Sequence, residues 1–177
     1  MVVPEEAGYK NRYVYASSEI ALAAIFINRK PGGSWVATWG FGKNGPFFCE
    51  RVKGIFDKWY AGQKGSIYVL SKDDFHHEGY MSSHEWVSEK PVKVVKEIQI
   101  NDVKQFLLDL EKQGKIKITY YDDRPERYRS DDDMIEMAIK MIEKYGLKQQ
   151  IERIREFQPQ IENRVMEELK KRKIIIH

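Results

Sequence analysis

Histidine and cysteine are the residue types to weigh first for chemistry. His76, His77 and His84 lie close together with Glu78 among them, and imidazoles with a carboxylate are ordinary zinc ligands. Their spacing argues against a metal centre. Adjacent histidines on extended chain point to opposite sides, and no His-x-x-x-His helical pair is present. They read as solvated loop histidines. Cys49 is the only cysteine, so neither an internal disulfide nor a cysteine-based zinc cage can form, and a reducing compartment is expected. Aromatic residues interleaved with lysines and glycines from Trp35 to Lys64 have the composition of a base-stacking platform, but such rings more often build a core. Thirty basic residues against 27 acidic ones leave a net charge of +3, too small an excess to imply nucleic-acid binding from charge alone.

Any such group needs a folded chain to position it, and the composition provides for one. A hydrophobic fraction of 42%, with 10 Tyr, 8 Phe and 4 Trp, offers the apolar surface that a disordered chain lacks. A length of 177 residues suits one principal domain. The expected class is α+β: a twisted, mainly antiparallel sheet with packed helices over residues 1–121, then a charged linker and a helical C-terminal region over 122–177.

The elements follow from local pattern. Tyr13 to Ala16 is β-prone and runs into Ser17-Ser18, whose hydroxyls suit the start of a helix over about Glu19 to Ile27. Aromatics and glycines from Gly33 to Cys49 suggest a short strand or hairpin, and Glu50 to Tyr60 a short helix. Ser66 to Leu70 is apolar on both faces and reads as a central strand. Val92 to Ile100 alternates as a half-buried strand. Asn101 or Asp102 then caps a helix with Val103, Phe106, Leu107 and Leu110 on one face and Gly114 as terminator. Lys115 to Tyr121 is a further strand. Beyond Asp133, three amphipathic stretches follow, the last opened by Pro159.

The segments Tyr13-Val14-Tyr15-Ala16-Ser17, Gly65-Ser66-Ile67-Tyr68-Val69-Leu70 and Glu85-Trp86-Val87-Ser88-x-x-Pro91-Val92 resemble core segments of ADP-ribosyltransferase-like domains, including the related RNA 2′-phosphotransferase branch. The resemblance covers about residues 13 to 100. It implies an NAD-binding protein, either an active transferase or its inactive descendant, in which Glu85 is the catalytic carboxylate and Ser17 a supporting hydroxyl, with Tyr13, Tyr15 and Trp86 as cofactor-binding rings. In such domains a first strand usually carries an Arg, or a His within a Tyr-His-Gly-like run. Met1 to Lys10 contains neither, and Arg12 is the nearest basic residue.

A second reading belongs to another class. Between Lys140 and Lys173 lie 10 basic and 6 acidic residues, closing in Lys170-Lys171-Arg172-Lys173. Apolar positions recur through residues 134–169. A non-catalytic module that binds a protein partner, a second copy of itself or RNA through these helices fits that pattern. The closing Ile174-Ile175-Ile176 could add a small strand or dock. No apolar run approaches a bilayer span, and the N-terminus lacks a signal-peptide pattern, so a cytoplasmic protein without membrane partners is expected.

Overall fold

The computed structural model describes residues 13–28, 30–77, 84–128 and 130–172. Met1 to Lys10, Arg12, Glu78, Lys173 and Ile174 to Ile176, which figure in the expectations above, lie outside the described residues. The fold is α+β with antiparallel pairing. Its strands are β1 (Val14–Ser17), β2 (Ala37–Gly42), β3 (Gly45–Glu50), β4 (Gly65–Leu70), β5 (Glu85–Ser88), β6 (Val94–Ile100) and β7 (Lys117–Thr119). Its helices are α1 (Ile20–Ile25), α2 (Ile55–Tyr60), α3 (Val103–Lys112), α4 (Asp132–Tyr145), α5 (Leu147–Phe157) and α6 (Glu162–Lys171). The strands pair as β1-β5, β2-β3-β7 and β4-β6.

The chain divides into two compact units, and neither is continuous in sequence. The first takes residues 1–29, 39–47 and 56–118. Within it, α1 buries Ala21, Leu22, Ala24 and Ile25. The helix starts one residue later than its pattern suggests, and Ser17 Oγ accepts the Glu19 N–H at 3.0 Å in the turn that leads into it. Helix α3 matches its expected capping: Asp102 Oδ1 accepts the Gln105 N–H at 2.9 Å, and Gly114 follows at φ +69°. Gly65 opens β4 because nothing larger fits there, a Cβ being placed 2.3 Å from Ile27 Cγ2. The Tyr60 hydroxyl donates to the Ile25 carbonyl at 3.1 Å, and burial pushes its pKa well above the usual phenol value.

Strand β4 departs from its expected place. It pairs with β6 alone among the described residues, with Tyr68 55% and Val69 40% exposed. β6 is likewise exposed from Val94 to Glu97, and its apolar side turns inward only at Ile98 and Ile100. Two-faced apolar character marks a central strand when flanking strands exist to cover it. Here the distal half of a two-stranded ribbon stands clear, with a β-bulge at Val69/Leu70 interrupting the ladder.

The second unit takes residues 30–38, 48–55 and 119–177. Early segments join the C-terminal helices through specific bonds. The Gln158 side-chain amide donates to the Trp35 carbonyl at 2.6 Å, with both residues buried. Arg51 pairs with Asp133, and its guanidinium lies 5.0 Å from the Tyr128 ring centroid. Glu50, only 2% exposed, accepts the backbone N–H groups of Gly54 at 3.2 Å and Tyr121 at 3.0 Å. The expected strand to Tyr121 ends at Thr119, and the charged linker is folded into two short 3-10 turns, Tyr121–Asp123 and Glu126–Tyr128. Helices α4, α5 and α6 turn Ile135, Ile139, Ile142, Ile154, Val165 and Leu169 inward. Pro159 opens the short turn before α6, where its missing N–H costs nothing.

Candidate functional site

The ribbon of β1 and β5 carries most of the residues singled out by chemistry. Its register pairs Val14 with Ser88, Tyr15 with Val87, Ala16 with Trp86 and Ser17 with Glu85. Directly opposed residues on antiparallel strands share a face, and alternate residues along each strand share it too. Ser17 and Glu85 therefore project on the same side, with Tyr15 two residues away. This arrangement is the one needed for a hydroxyl and a carboxylate to act on a common ligand.

The pairing type brings the two side chains closer still. Val87 uses its backbone N–H and C=O toward His76, at 3.0 and 2.9 Å, so its pairing with Tyr15 is of the non-hydrogen-bonded kind. Two residues on, Ser17 and Glu85 have the same kind of pairing. Such pairs have Cα atoms about 4.5 Å apart and the nearer side chains. Accepting the Glu19 N–H leaves the Ser17 hydroxyl its own proton to donate. A carboxylate acceptor and a hydroxyl donor side by side can serve a ligand that offers both donors and acceptors.

The three rings divide. Tyr15 is half-buried on the Ser17/Glu85 face. Tyr13 is 8% exposed and meets Tyr15 edge-on at 6.0 Å between centroids, so it backs that ring instead of forming an open wall. Trp86 lies on the opposite face, where Lys72 Nζ sits 4.5 Å and the His77 ring 3.6 Å from its ring centroid. The period-two alternation of a strand separates Trp86 from Glu85, so the structure does not bring it into the group.

The other sequence candidates lie elsewhere. Among the described residues no cluster of His, Cys, Asp and Glu could hold a metal ion. His76 is an edge bridge to β5, and His77 lies against Trp86. Of the aromatics proposed for base stacking, Trp35, Phe48, Phe56 and Trp59 are buried. In the C-terminal basic run, Lys171 pairs with Glu168 at 2.7 Å and Arg172 with Glu136 at 2.8 Å. These contacts spend part of the positive charge locally. The apolar faces of α4 to α6 turn most of their side chains inward, with Tyr145 of α4 exposed, while Tyr68 and Val69 of β4 and Val94 and Val95 of β6 are exposed together on the ribbon. A shallow hollow between α4 and α5, lined by Tyr145, Gly146, Lys148, Gln149 and Glu152, has no convergent catalytic groups.

His84 and Phe41 were not singled out for this site by sequence. The Phe41 ring stacks on the His84 imidazole at 3.4 Å with planes 21° apart, beside Ser18 and Glu19. Only the adjacency of His84 to Glu85 pointed there. Comparison with known proteins finds no matching family model, no matching curated protein and no matching solved structure. No helix of the described residues is long and apolar enough to cross a membrane.

Proposed function

We propose that this chain is an ADP-ribosyltransferase-like, NAD-binding protein that holds the nicotinamide ribose against the Ser17/Glu85 face of the β1-β5 ribbon. The observation that carries the reading is the register that sets Ser17 opposite Glu85, with Tyr15 on the same face. Cleavage of a nicotinamide–ribose bond builds positive charge on the sugar, and a fixed carboxylate beside it stabilises that charge most where water is excluded. In this reading Glu85 binds ribose hydroxyls and faces the developing charge, Ser17 donates a hydrogen bond to the ribose or to Glu85, and Tyr15 stacks on the nicotinamide.

Calorimetric titration of the full chain with NAD tests binding, and chromatographic detection of released nicotinamide tests turnover. Binding to the parent chain is expected. Glu85→Gln keeps the shape and removes the charge, and a lost hydrogen bond to a charged group corresponds to roughly 10- to 100-fold in affinity. Any nicotinamide release should disappear in the same variant while its melting curve stays in place. An absence of binding at millimolar NAD, or Glu85→Gln binding as the parent does, refutes the reading.

A further inference from the structure

The Ser17↔Glu85 pair is the last rung assigned to its ladder, and end rungs of a two-stranded ribbon are where fraying begins. A site built on that rung needs something beyond it to keep it closed. The next position supplies it: the Ser18 N–H donates to the His84 carbonyl at 3.2 Å, extending the same register by one residue. The side chain repeats the connection, with His84 Nδ1 3.4 Å from Ser18 Oγ and 3.7 Å from Glu19 Oε1. Phe41, reaching in from β2, stacks on the imidazole. His84 is thus held by backbone, by polar contacts and by a ring, directly before Glu85.

We infer that His84, clamped by Phe41, is a positioning residue that keeps Glu85 closed across from Ser17. By strand alternation its ring belongs to the side opposite the Glu85 carboxylate, so it acts through the rung and not on the ligand. The catalytic consequence rests on the ribose-binding reading above; the geometric role does not.

The two can be separated by experiment. A non-hydrogen-bonded pair has a Cα separation within disulfide range, so Ser17→Cys with Glu85→Cys in a Cys49→Ala background reports rung closure by its rate of air- or glutathione-driven disulfide formation. Adding His84→Ala should lower the closed-to-open ratio of the rung by about 2- to 10-fold, the factor that one net hydrogen bond represents, and slow cross-linking by up to that factor. His84→Asn, which keeps a polar group near Ser18, should recover part of the rate, and Phe41→Leu should lose part of it. In the otherwise unchanged chain, His84→Ala should weaken NAD binding by a similar factor.

Cross-linking in His84→Ala and Phe41→Leu as fast as in their cysteine-pair parent overturns the positioning role. Slowed cross-linking in a protein that does not bind NAD leaves the role standing and removes the ribose-binding reading. Should His84→Ala fail to fold, His84→Asn and Phe41→Leu decide between the outcomes, since an unaltered rate in both rejects the clamp.

Discussion

Gly65→Ala should reverse the usual sign of a glycine replacement. Gly65 has no left-handed backbone requirement, and at such a position alanine ordinarily stabilises a protein by about 0.4–1 kcal/mol through the unfolded chain. Here the new methyl would stand 2.3 Å from Ile27 Cγ2, far inside van der Waals contact. Cγ2 belongs to a β-branched side chain with little freedom at χ1, so either Ile27 leaves its rotamer or β4 shifts away from the turn that follows α1. Overpacking of this kind costs about 1–3 kcal/mol, enough to outweigh the entropic gain. For a chain of this size the melting temperature should fall by roughly 2–10 °C. Ile27→Leu moves the branch from Cβ to Cγ and removes the clashing atom. The double variant should therefore recover most of the loss, with a coupling of about 0.5–3 kcal/mol in a double-mutant cycle followed by thermal or urea denaturation. A Gly65→Ala protein as stable as its parent, or additive effects in the cycle, would refute the packing argument.

Glu50→Ala strands the N–H groups of Gly54 and Tyr121, both partly solvated, and should cost about 2 kcal/mol, read as a lowered denaturation midpoint. Asp102→Ala removes the α3 cap and should cost about 1 kcal/mol, while Asp102→Ser or Asp102→Asn should retain most of it. Burial lowers the Lys30 pKa from 10.5 to about 8. Between those pH values the unfolded chain binds more protons, so this residue makes stability rise as pH climbs from 8 toward 10.5. Lys30→Met should flatten that rise relative to the parent in urea titrations at pH 8 and 10, and an unchanged slope would contradict it.

The segments easiest to read were those whose local chemistry and tertiary setting agree. Asp102 caps the helix its type and position suggest, and the α3 face of Val103, Leu107 and Leu110 is buried as its spacing requires. The strand character of residues 13–16 was also legible from a short β-prone run, while residues 85–88 had no such reading of their own. The pairing of the two was not legible, because register depends on what the two strands meet in space, and the separation of Trp86 from Glu85 follows only once β5 is known to be extended. Residues 66–70 show the reverse case. Apolar residues on both faces say what a strand could bury, not whether neighbours exist to cover it, and Tyr68 and Val69 remain 55% and 40% exposed. Glu50 was invisible because a carboxylate that accepts distant backbone N–H groups leaves no mark on the residues beside it. His84 was read as a solvated loop residue for the same reason: its partners Ser18, Glu19 and Phe41 are remote in sequence.

The bond from Gln158 to the Trp35 carbonyl joins residues 123 positions apart. During synthesis, the stretch around Trp35 leaves the ribosome long before α5 exists, so its carbonyl has no Gln158 amide to accept from until residue 158 has emerged. Closing so wide a loop adds little to the equilibrium cost but slows folding, because the entropy is lost before the contacts that repay it form. A truncation after residue 121 would consequently remove Gln158 from the Trp35 carbonyl and Asp133 from Arg51, and such a fragment should aggregate or be degraded instead of persisting as a smaller version of the fold.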